Sequence, residues 1–368
     1  MKNKLEIINV TKTFLPPIEK YIKYIENIWS SDKITNQGPL LKELECKLED
    51  HLSVKNLHFV NNGTTALQLA LKALDIIDGE IITTPFSYVA TTSAILWERC
   101  KPVFIDIDPD NFCIDPGKIE EKITKKTKAI LAVHVFGIPC DVEKIEEIAK
   151  KNNLRVIYDG AHAFGVNYKG KSLLSYGDIS VCSFHATKIF HTVEGGCLIV
   201  KNEDVSKRLE LLKRFGHQGD EHHYLGINAK ASELHAAMGL CNLEYIDKIV
   251  EKRKEIFEKY NQLLNNFVKT PGIPKNITYN YSYYPIIFKN EAVLLNVLDE
   301  LNRNDIYPRR YFYPSINTLS YIGDKQICPI SEDISSRVLC LPFYYDLKND
   351  TIEEISEIII KTIKKSEH

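Results

Sequence analysis

The order of apolar runs along this chain predicts an α/β fold: a mostly parallel sheet covered by helices on both faces, followed by a smaller α+β domain. Three observations carry that expectation. Short runs dense in valine and isoleucine recur through the first half of the chain, with segments of helical period between them. These runs are nearly continuous in apolar residues rather than alternating, as strands buried on both faces are. Past Gly239 the texture changes to a long charged helical pattern and a hinge-like Pro271-Gly272-Ile273-Pro274, which marks a second unit.

The elements follow in order. Residues 18–29 bring Ile22, Tyr24, Ile25, Ile28 and Trp29 onto a helix entered after Pro16-Pro17. A second helix over 40–52 follows the turn Asn36-Gln37-Gly38-Pro39. Residues 57–60 read as a strand running into Asn61-Asn62-Gly63-Thr64-Thr65, after which 66–74 are strongly helical. The alternation repeats with a strand over 80–84, a helix over 88–99, strands over 102–105 and 129–133, a helix over 142–152 and a strand over 155–158 ending in Asp159. Residues 179–184 and 197–200 are two more strands of β-formers. Beyond them the pattern predicts a charged helix over 242–267, a strand over 281–288, a helix over 292–301 and a short element over 334–341. A last helix is expected over 351–363, with Thr351 as its N-cap and Glu353-Glu354 in its first turn. The first domain is drawn at 1–245, N-terminal segment included, and the second at 246–368 with the linking helix.

Composition narrows the function classes. A chain that is 44% hydrophobic and 26% charged, with a formal net charge of -2 and no basic block, lacks the electrostatic footprint of a nucleic-acid binder. The start Met1-Lys2-Asn3-Lys4-Leu5-Glu6 is not followed by the apolar run of a signal peptide. No stretch approaches the roughly 18 uncharged apolar residues of a membrane span, so a cytoplasmic protein is expected. Nine cysteines, an odd number with no CxxC, read as reduced thiols and predict neither a disulfide framework nor a metal site.

Chemistry concentrates between the strands over 179–184 and 197–200. There, Ser183-Phe184-His185-Ala186-Thr187-Lys188-Ile189-Phe190-His191-Thr192-Val193-Glu194-Gly195-Gly196 sets one lysine in an apolar, aromatic and histidine-rich loop, the setting of a nucleophilic amine. An ordinary surface lysine is the alternative. Asn62-Gly63-Thr64-Thr65 offers free backbone N–H groups at a helix start, a phosphate site unless Thr64 or Thr65 merely caps the helix. Asp159, just past a buried strand, is placed for a base, a metal ligand, a partner for a protonated ring nitrogen, or a cap. Tyr88 can lie over a flat ring or pack in the core. One ligand meets a demand for a phosphate, a flat ring and an aldehyde for a lysine: pyridoxal phosphate.

These residues lie in motifs that resemble the DegT/DnrJ/EryC1/StrS sugar aminotransferases. The matching stretches are Thr35 to Pro39, Asn62 to Leu67, Pro102 to Asp108, His134 to Gly137, Asp159 to Ala163, the Ser183 to Gly196 run, and Gly226 to Leu234. The resemblance implies fold type I of the pyridoxal-phosphate enzymes, with a seven-stranded mixed sheet. It implies that Lys188 is the Schiff-base lysine and the acid-base group, and that Asp159 pairs with the pyridinium nitrogen. Tyr88 matches the ring-stacking aromatic, His162 the neighbour of the cofactor hydroxyl, and Gly63, Thr64 and Ser183 the phosphate cradle. Asn228 matches an asparagine that reaches the phosphate of a neighbouring subunit, which implies a homodimer with shared active sites.

Two departures stand out. Many family members have proline at Ala186 and a stretch such as Asn-Leu-Gly at Ile189-Phe190-His191. Relatives with histidine in place of the lysine are dehydratases, and Lys188 argues against that outcome. The implied reaction takes an amino group from L-glutamate, by way of pyridoxamine phosphate, and delivers it to a nucleotide-linked keto sugar. His185, His191, Glu194, Arg310 and Tyr311 are the expected substrate contacts, although the tyrosines and arginines of that region could equally pack or be solvated. The loop leans towards amination at C4 of dTDP-4-keto-6-deoxy-D-glucose, giving dTDP-4-amino-4,6-dideoxy-D-glucose. Amination at C3 and a UDP-linked substrate are the alternatives.

Overall fold

In the computed structural model, which describes residues 7–366, the apolar runs assemble into one mixed sheet. Helices α1 (Ile18–Ser31) and α2 (Pro39–Leu52) precede strand β1 (Leu57–Val60), and α3 (Gly63–Ala73) follows it. Next come β2 (Glu80–Thr83), α4 (Val89–Trp97), β3 (Lys101–Phe104), β4 (Thr127–Val133), α5 (Val142–Asn152) and β5 (Arg155–Asp159). Strands β6 (Ile179–Ser183) and β7 (Gly196–Val200) and helix α6 (Glu203–Leu212) complete this part. The seven strands lie in the order β1-β7-β6-β5-β4-β2-β3. Only β7 runs antiparallel to its neighbours β1 and β6; the other pairings are parallel.

Alternate residues of the central strands serve two separate cores. Ile82, Ala132, Tyr158, Cys182 and Cys197 face one side, and Ile81, Leu131, Ile157, Val181 and Leu198 the other, beneath the apolar stripe of α3. That two-sided burial is why the sequence shows runs rather than alternation. The outer edge of β1 is closed by side chains of α2: Glu49 accepts from the Leu57 N–H at 2.9 Å and Glu45 from the Phe59 N–H at 2.8 Å. An unpaired strand edge is thereby satisfied.

The second half holds α7 (Glu233–Leu243), α8 (Ile246–Leu264), β8 (Pro285–Ile287), α9 (Glu291–Arg303), α10 (Pro329–Arg337), β9 (Val338–Cys340) and α11 (Asn349–Ser366). Strands β8 and β9 pair antiparallel. Several expectations need correction here. The helix expected over 242–267 is two helices, broken at Glu244 and Tyr245, where the Tyr245 ring turns to pack on Phe14 at 5.4 Å. The strand expected over 281–288 shrinks to three residues because Tyr281 takes φ 53°, which no strand tolerates. The element over 334–341 joins the end of α10 to β9. Helix α11 begins two residues before Thr351, which therefore sits inside the first turn instead of capping it. The segment expected to open the first domain is stitched to the second half: Ile8–Asn9 pairs in parallel with Ile306–Tyr307, and the Phe343 N–H donates to the Val10 carbonyl at 3.0 Å.

Among the described residues no helix is long and apolar enough to cross a membrane. The nine cysteines are free thiols, and only Cys46 is exposed.

One buried histidine makes stability depend on pH. His134 is fully buried, stacks on Tyr158 at 4.6 Å, and accepts the Cys140 N–H at Nδ1, which leaves the proton on an Nε2 without a partner. Burial lowers its pKa from 6.5 to about 3. The folded state thus excludes a proton that the unfolded chain binds below about pH 6.5, so this contribution is complete above that pH and is lost as pH falls towards 3. Thermal unfolding measured from pH 7.5 to 4.5 should show the loss, ~1.4 kcal/mol for each pH unit below the unfolded-state value. His134→Asn, which retains an acceptor for Cys140, should show a shallower slope.

Candidate active site

Because β1, β2, β5 and β6 are mutually parallel, their C-terminal ends share one edge of the sheet, the edge at which open α/β sheets bind ligands. A cleft of about 360 Å³ opens there. Gly63, Thr64, Tyr88, Asp159, His162, Ser183 and Lys188 all line it, as do His185, Glu194 and Tyr311.

Asp159 forms the floor. It is the last residue of β5 and only 6% exposed. Its carboxylate accepts from the Thr91 hydroxyl at 2.7 Å and the Ala161 N–H at 3.1 Å. The Thr91 proton is committed to Asp159, so Ser87 must donate to Thr91 across their 2.8 Å contact. Burial pushes the Asp159 pKa up, and these two hydrogen bonds and the nearby Lys188 charge offset it only in part. A carboxylate so placed stabilises a cationic ligand.

The α3 N-terminus reaches the cleft beside Ser183. Asn62 caps the helix by accepting the Thr65 N–H at 2.8 Å, so neither Thr64 nor Thr65 is the cap. First-turn amides of a helix lack intrahelical acceptors, and here they meet the cleft. The approach at Gly63 is close: an added Cβ would stand 3.1 Å from the Ser183 Cβ, a tight contact. Tyr88, 62% exposed at the rim, is not a core residue.

His162 is neutral, since burial and the Lys188 charge hold its pKa well below the ordinary range. Its Nδ1 accepts the Phe136 N–H at 3.2 Å, which leaves the proton on Nε2. Lys188 lies on the β6–β7 connection, half-buried, and forms no ion pair among the described residues. Its Nζ stands 3.5 Å from the Tyr283 hydroxyl, a long contact. His185 and Glu194 face each other at the mouth, Nε2 to Oε1 3.5 Å.

Two expected substrate contacts lie elsewhere. His191 is buried away from the cleft, with Nε2 2.7 Å from the Phe14 carbonyl. Arg310 donates to Glu291 at 2.6 Å and to the Ser336 carbonyl at 2.7 Å, and its guanidinium lies 3.4 Å from the Tyr313 ring centre. The cleft receives Arg309 instead. Arg309 bridges to Cys340 in extended backbone, where neighbouring side chains point to opposite faces. Asn228 is exposed, lies outside its own cleft and accepts from the Lys230 amine at 2.8 Å. Sequence reasoning named Tyr283 and Phe312 only within longer aromatic runs suited to a nucleotide diphosphate, and it missed Ser87 and Thr91. Only the four-residue spacing of Ser87 and Thr91 at a helix start hinted at a shared face.

The model of the DegT/DnrJ/EryC1/StrS aminotransferase family matches residues 18–360. The dTDP-4-amino-4,6-dideoxy-D-glucose transaminase of Shigella dysenteriae is 41% identical, over 97% of this chain and 98% of that protein. The dTDP-3-amino-3,6-dideoxy-alpha-D-galactopyranose transaminase of Aneurinibacillus thermoaerophilus is 32% identical over 88% of this chain and 90% of its own. A crystal structure of DesI in the presence of its TDP-sugar product superposes with a TM-score of 0.92 at 28% identity, covering 98% of this chain and 94% of that one. The chain therefore belongs to the DegT/DnrJ/EryC1/StrS aminotransferase family, whose members are pyridoxal-phosphate-dependent enzymes.

Proposed function

We propose that this enzyme moves the amino group of L-glutamate onto C4 of dTDP-4-keto-6-deoxy-D-glucose, releasing 2-oxoglutarate and dTDP-4-amino-4,6-dideoxy-D-glucose. The observation that carries this reading is the 41% identity, over nearly all of both chains, to the transaminase named for that product. Amination at C3 is the second reading, supported by the more distant relative at 32%.

The cleft suits pyridoxal phosphate. The narrow gap between Gly63 and Ser183, where a Cβ would intrude, brings the α3 N-terminus and a hydroxyl to one point, as a phosphate requires. The buried Asp159, with only neutral donors of its own, suits a protonated ring nitrogen. Pyridoxal phosphate, when bound, supplies a carbonyl for amine exchange and a ring that absorbs the electron pair released at the substrate carbon.

The chain's residues divide the remaining work. Ser87 and Thr91 hold Asp159 in the ionised, acceptor-only form that keeps the ring nitrogen protonated. Gly63, Thr64 and Ser183 would hold the phosphate, the Nε2–H of His162 would be a donor to the bound group, and Tyr88 would cover it from the rim. The Lys188 Nζ would hold and move the proton at the substrate carbon, and the Tyr283 hydroxyl, 3.5 Å away, would give the amine a polar rest position. Arg309 and Tyr311, on the opposite wall, bind the anionic parts of the substrates, for which a guanidinium fork suits carboxylate and phosphate alike. His185 and Glu194 read the sugar at the mouth.

A homodimer with shared sites, working in the cytoplasm, completes the proposal. Asn228, exposed and outside the cleft of its own chain, supports this reading.

Turnover of dTDP-4-keto-6-deoxy-D-glucose with glutamate should yield a product whose NMR spectrum places the amine at C4; an amine at C3 overturns the first reading for the second. Lys188→Ala should lose the visible absorbance of the lysine-bound cofactor and roughly 10³-fold or more in rate. Asp159→Asn should retain the fold and lose about a hundredfold in kcat, the size of a two-unit pKa change at the ring nitrogen. Arg309→Ala should raise a substrate KM about tenfold with Tm unchanged, whereas Arg310→Ala should lower Tm and leave KM alone.

A further inference from the structure

We propose that His191 is a positioning residue that registers the Lys188 loop against the N-terminal segment, residues 8–17, and that this segment thereby ties together the two walls of the cleft. The proposal rests on Lys188 being the reacting amine, as argued above.

The loop between β6 and β7 closes on itself near its base. The Phe184 N–H donates to the Gly195 carbonyl at 2.8 Å, the Thr192 N–H to Phe184 at 2.9 Å, and the Ala186 N–H to Val193 at 2.8 Å. Residues 187–192, with Lys188 among them, form a tip beyond the last of these pairs. Phe190 anchors that tip on one side, stacked on Phe164 at 4.5 Å and set edge-on to Phe184 at 5.0 Å. On the other side the tip is held by His191.

Both imidazole nitrogens are committed, and to the same tautomer. The Val193 N–H donates to Nδ1 at 3.2 Å, so Nδ1 carries no proton. Nε2 then carries it and donates to the Phe14 carbonyl at 2.7 Å, so the Asn242 Nδ2, 3.1 Å from Nε2, gives its hydrogen bond to the His191 carbonyl instead. Burial holds the ring below its ordinary pKa, in the neutral form that the Val193 bond needs. The first bond secures a residue in costly backbone, since Val193 is β-branched and stands at φ 69°. Asn242 fixes the His191 carbonyl at 2.9 Å, and Thr13 adds a second tie by donating to the Ala186 carbonyl at 3.0 Å.

The segment that receives these bonds is itself fastened to the other wall. The Phe14 ring lies between Tyr245 and Tyr345, at 5.4 and 5.2 Å. The Val10 carbonyl accepts from Phe343, and Ile8–Asn9 pairs with Ile306–Tyr307, which ends two residues before Arg309. The same few residues therefore touch the loop that carries Lys188 and the segment that leads to Arg309 and Tyr311.

Two isosteric variants separate the bonds. In the holoenzyme, His191→Asn keeps an acceptor near the Nδ1 position and loses the donor to Phe14. Hydrogen exchange should then leave the Val193 amide protected while residues 8–17 exchange faster, and the glutamate half-reaction should slow about fivefold, the equivalent of one ordinary hydrogen bond, at unchanged KM. His191→Gln keeps the donor, so the segment should stay protected while the Val193 amide exchanges faster. Thr13→Val, which leaves the loop's interior intact, should act in the direction of His191→Asn and decides the matter alone if the histidine variants do not fold. A rate loss in His191→Asn and Thr13→Val with no change in exchange over 8–17 overturns the proposal, and so does faster exchange there with a wild-type rate. A wild-type holoenzyme inert to glutamate would instead refute the reading of Lys188, while the exchange data would still decide whether His191 holds the segment.

Discussion

A carboxylate with 6% of its surface exposed and only two neutral hydrogen-bond donors is the constraint around which this molecule is arranged. Taking a charge out of water is expensive unless an opposite charge meets it. At Asp159 the expense is only partly met, because burial still holds the carboxyl above its ordinary pKa despite Thr91, Ala161 and the nearby Lys188. The position is nevertheless rigid. Asp159 is paired in register with Val133 on β4 and Val181 on β6, inside a sheet buried on both faces. The fold thus spends stability to hold a negative charge at the strand ends, where a cationic ring can recover it. The Ser87–Thr91 relay, the neutral His162 and the amine of Lys188 are grouped around that one charge.

The second wall of the cleft obeys a different logic. It comes from extended segments of the second half of the chain, where adjacent side chains leave on opposite faces. Arg309 enters the cleft, while Arg310, one residue on, is spent on Glu291, the Ser336 carbonyl and the Tyr313 ring, locking α9 to α10. Neither wall is complete in one stretch of sequence. Their relative placement depends on long-range ties, among which the N-terminal segment is notable for bonding to both.

Local sequence carried the elements whose cause is local. The strands of the large sheet and the helices between them were legible because two-sided burial writes itself as runs of apolar β-formers and amphipathic burial as a 3.6-residue period. The helix Val142–Asn152 has the bounds its pattern predicts. Errors arose where a tertiary contact overrode a local preference. The break between α7 and α8 follows the docking of Tyr245 on Phe14, and the shortened strand follows the positive φ of Tyr281. A charged helical pattern contains neither fact.

The sequence by itself pointed to most of the polar groups that share the cleft. Asp159 and Ser183 end strands, Gly63 and Thr64 open a helix, and His162 and Lys188 lie on the loops that leave those strands, so the sheet topology brings them to one edge once the strands are known. Only the tertiary structure decided the substrate side and the fate of the histidines. His185 and His191 lie six residues apart in one loop, yet one opens onto the cleft and the other is buried against Phe14. The reason is physical: which face of a loop or an extended segment meets the cleft is set by what packs behind it, and here that is a segment more than a hundred and seventy residues away in the chain.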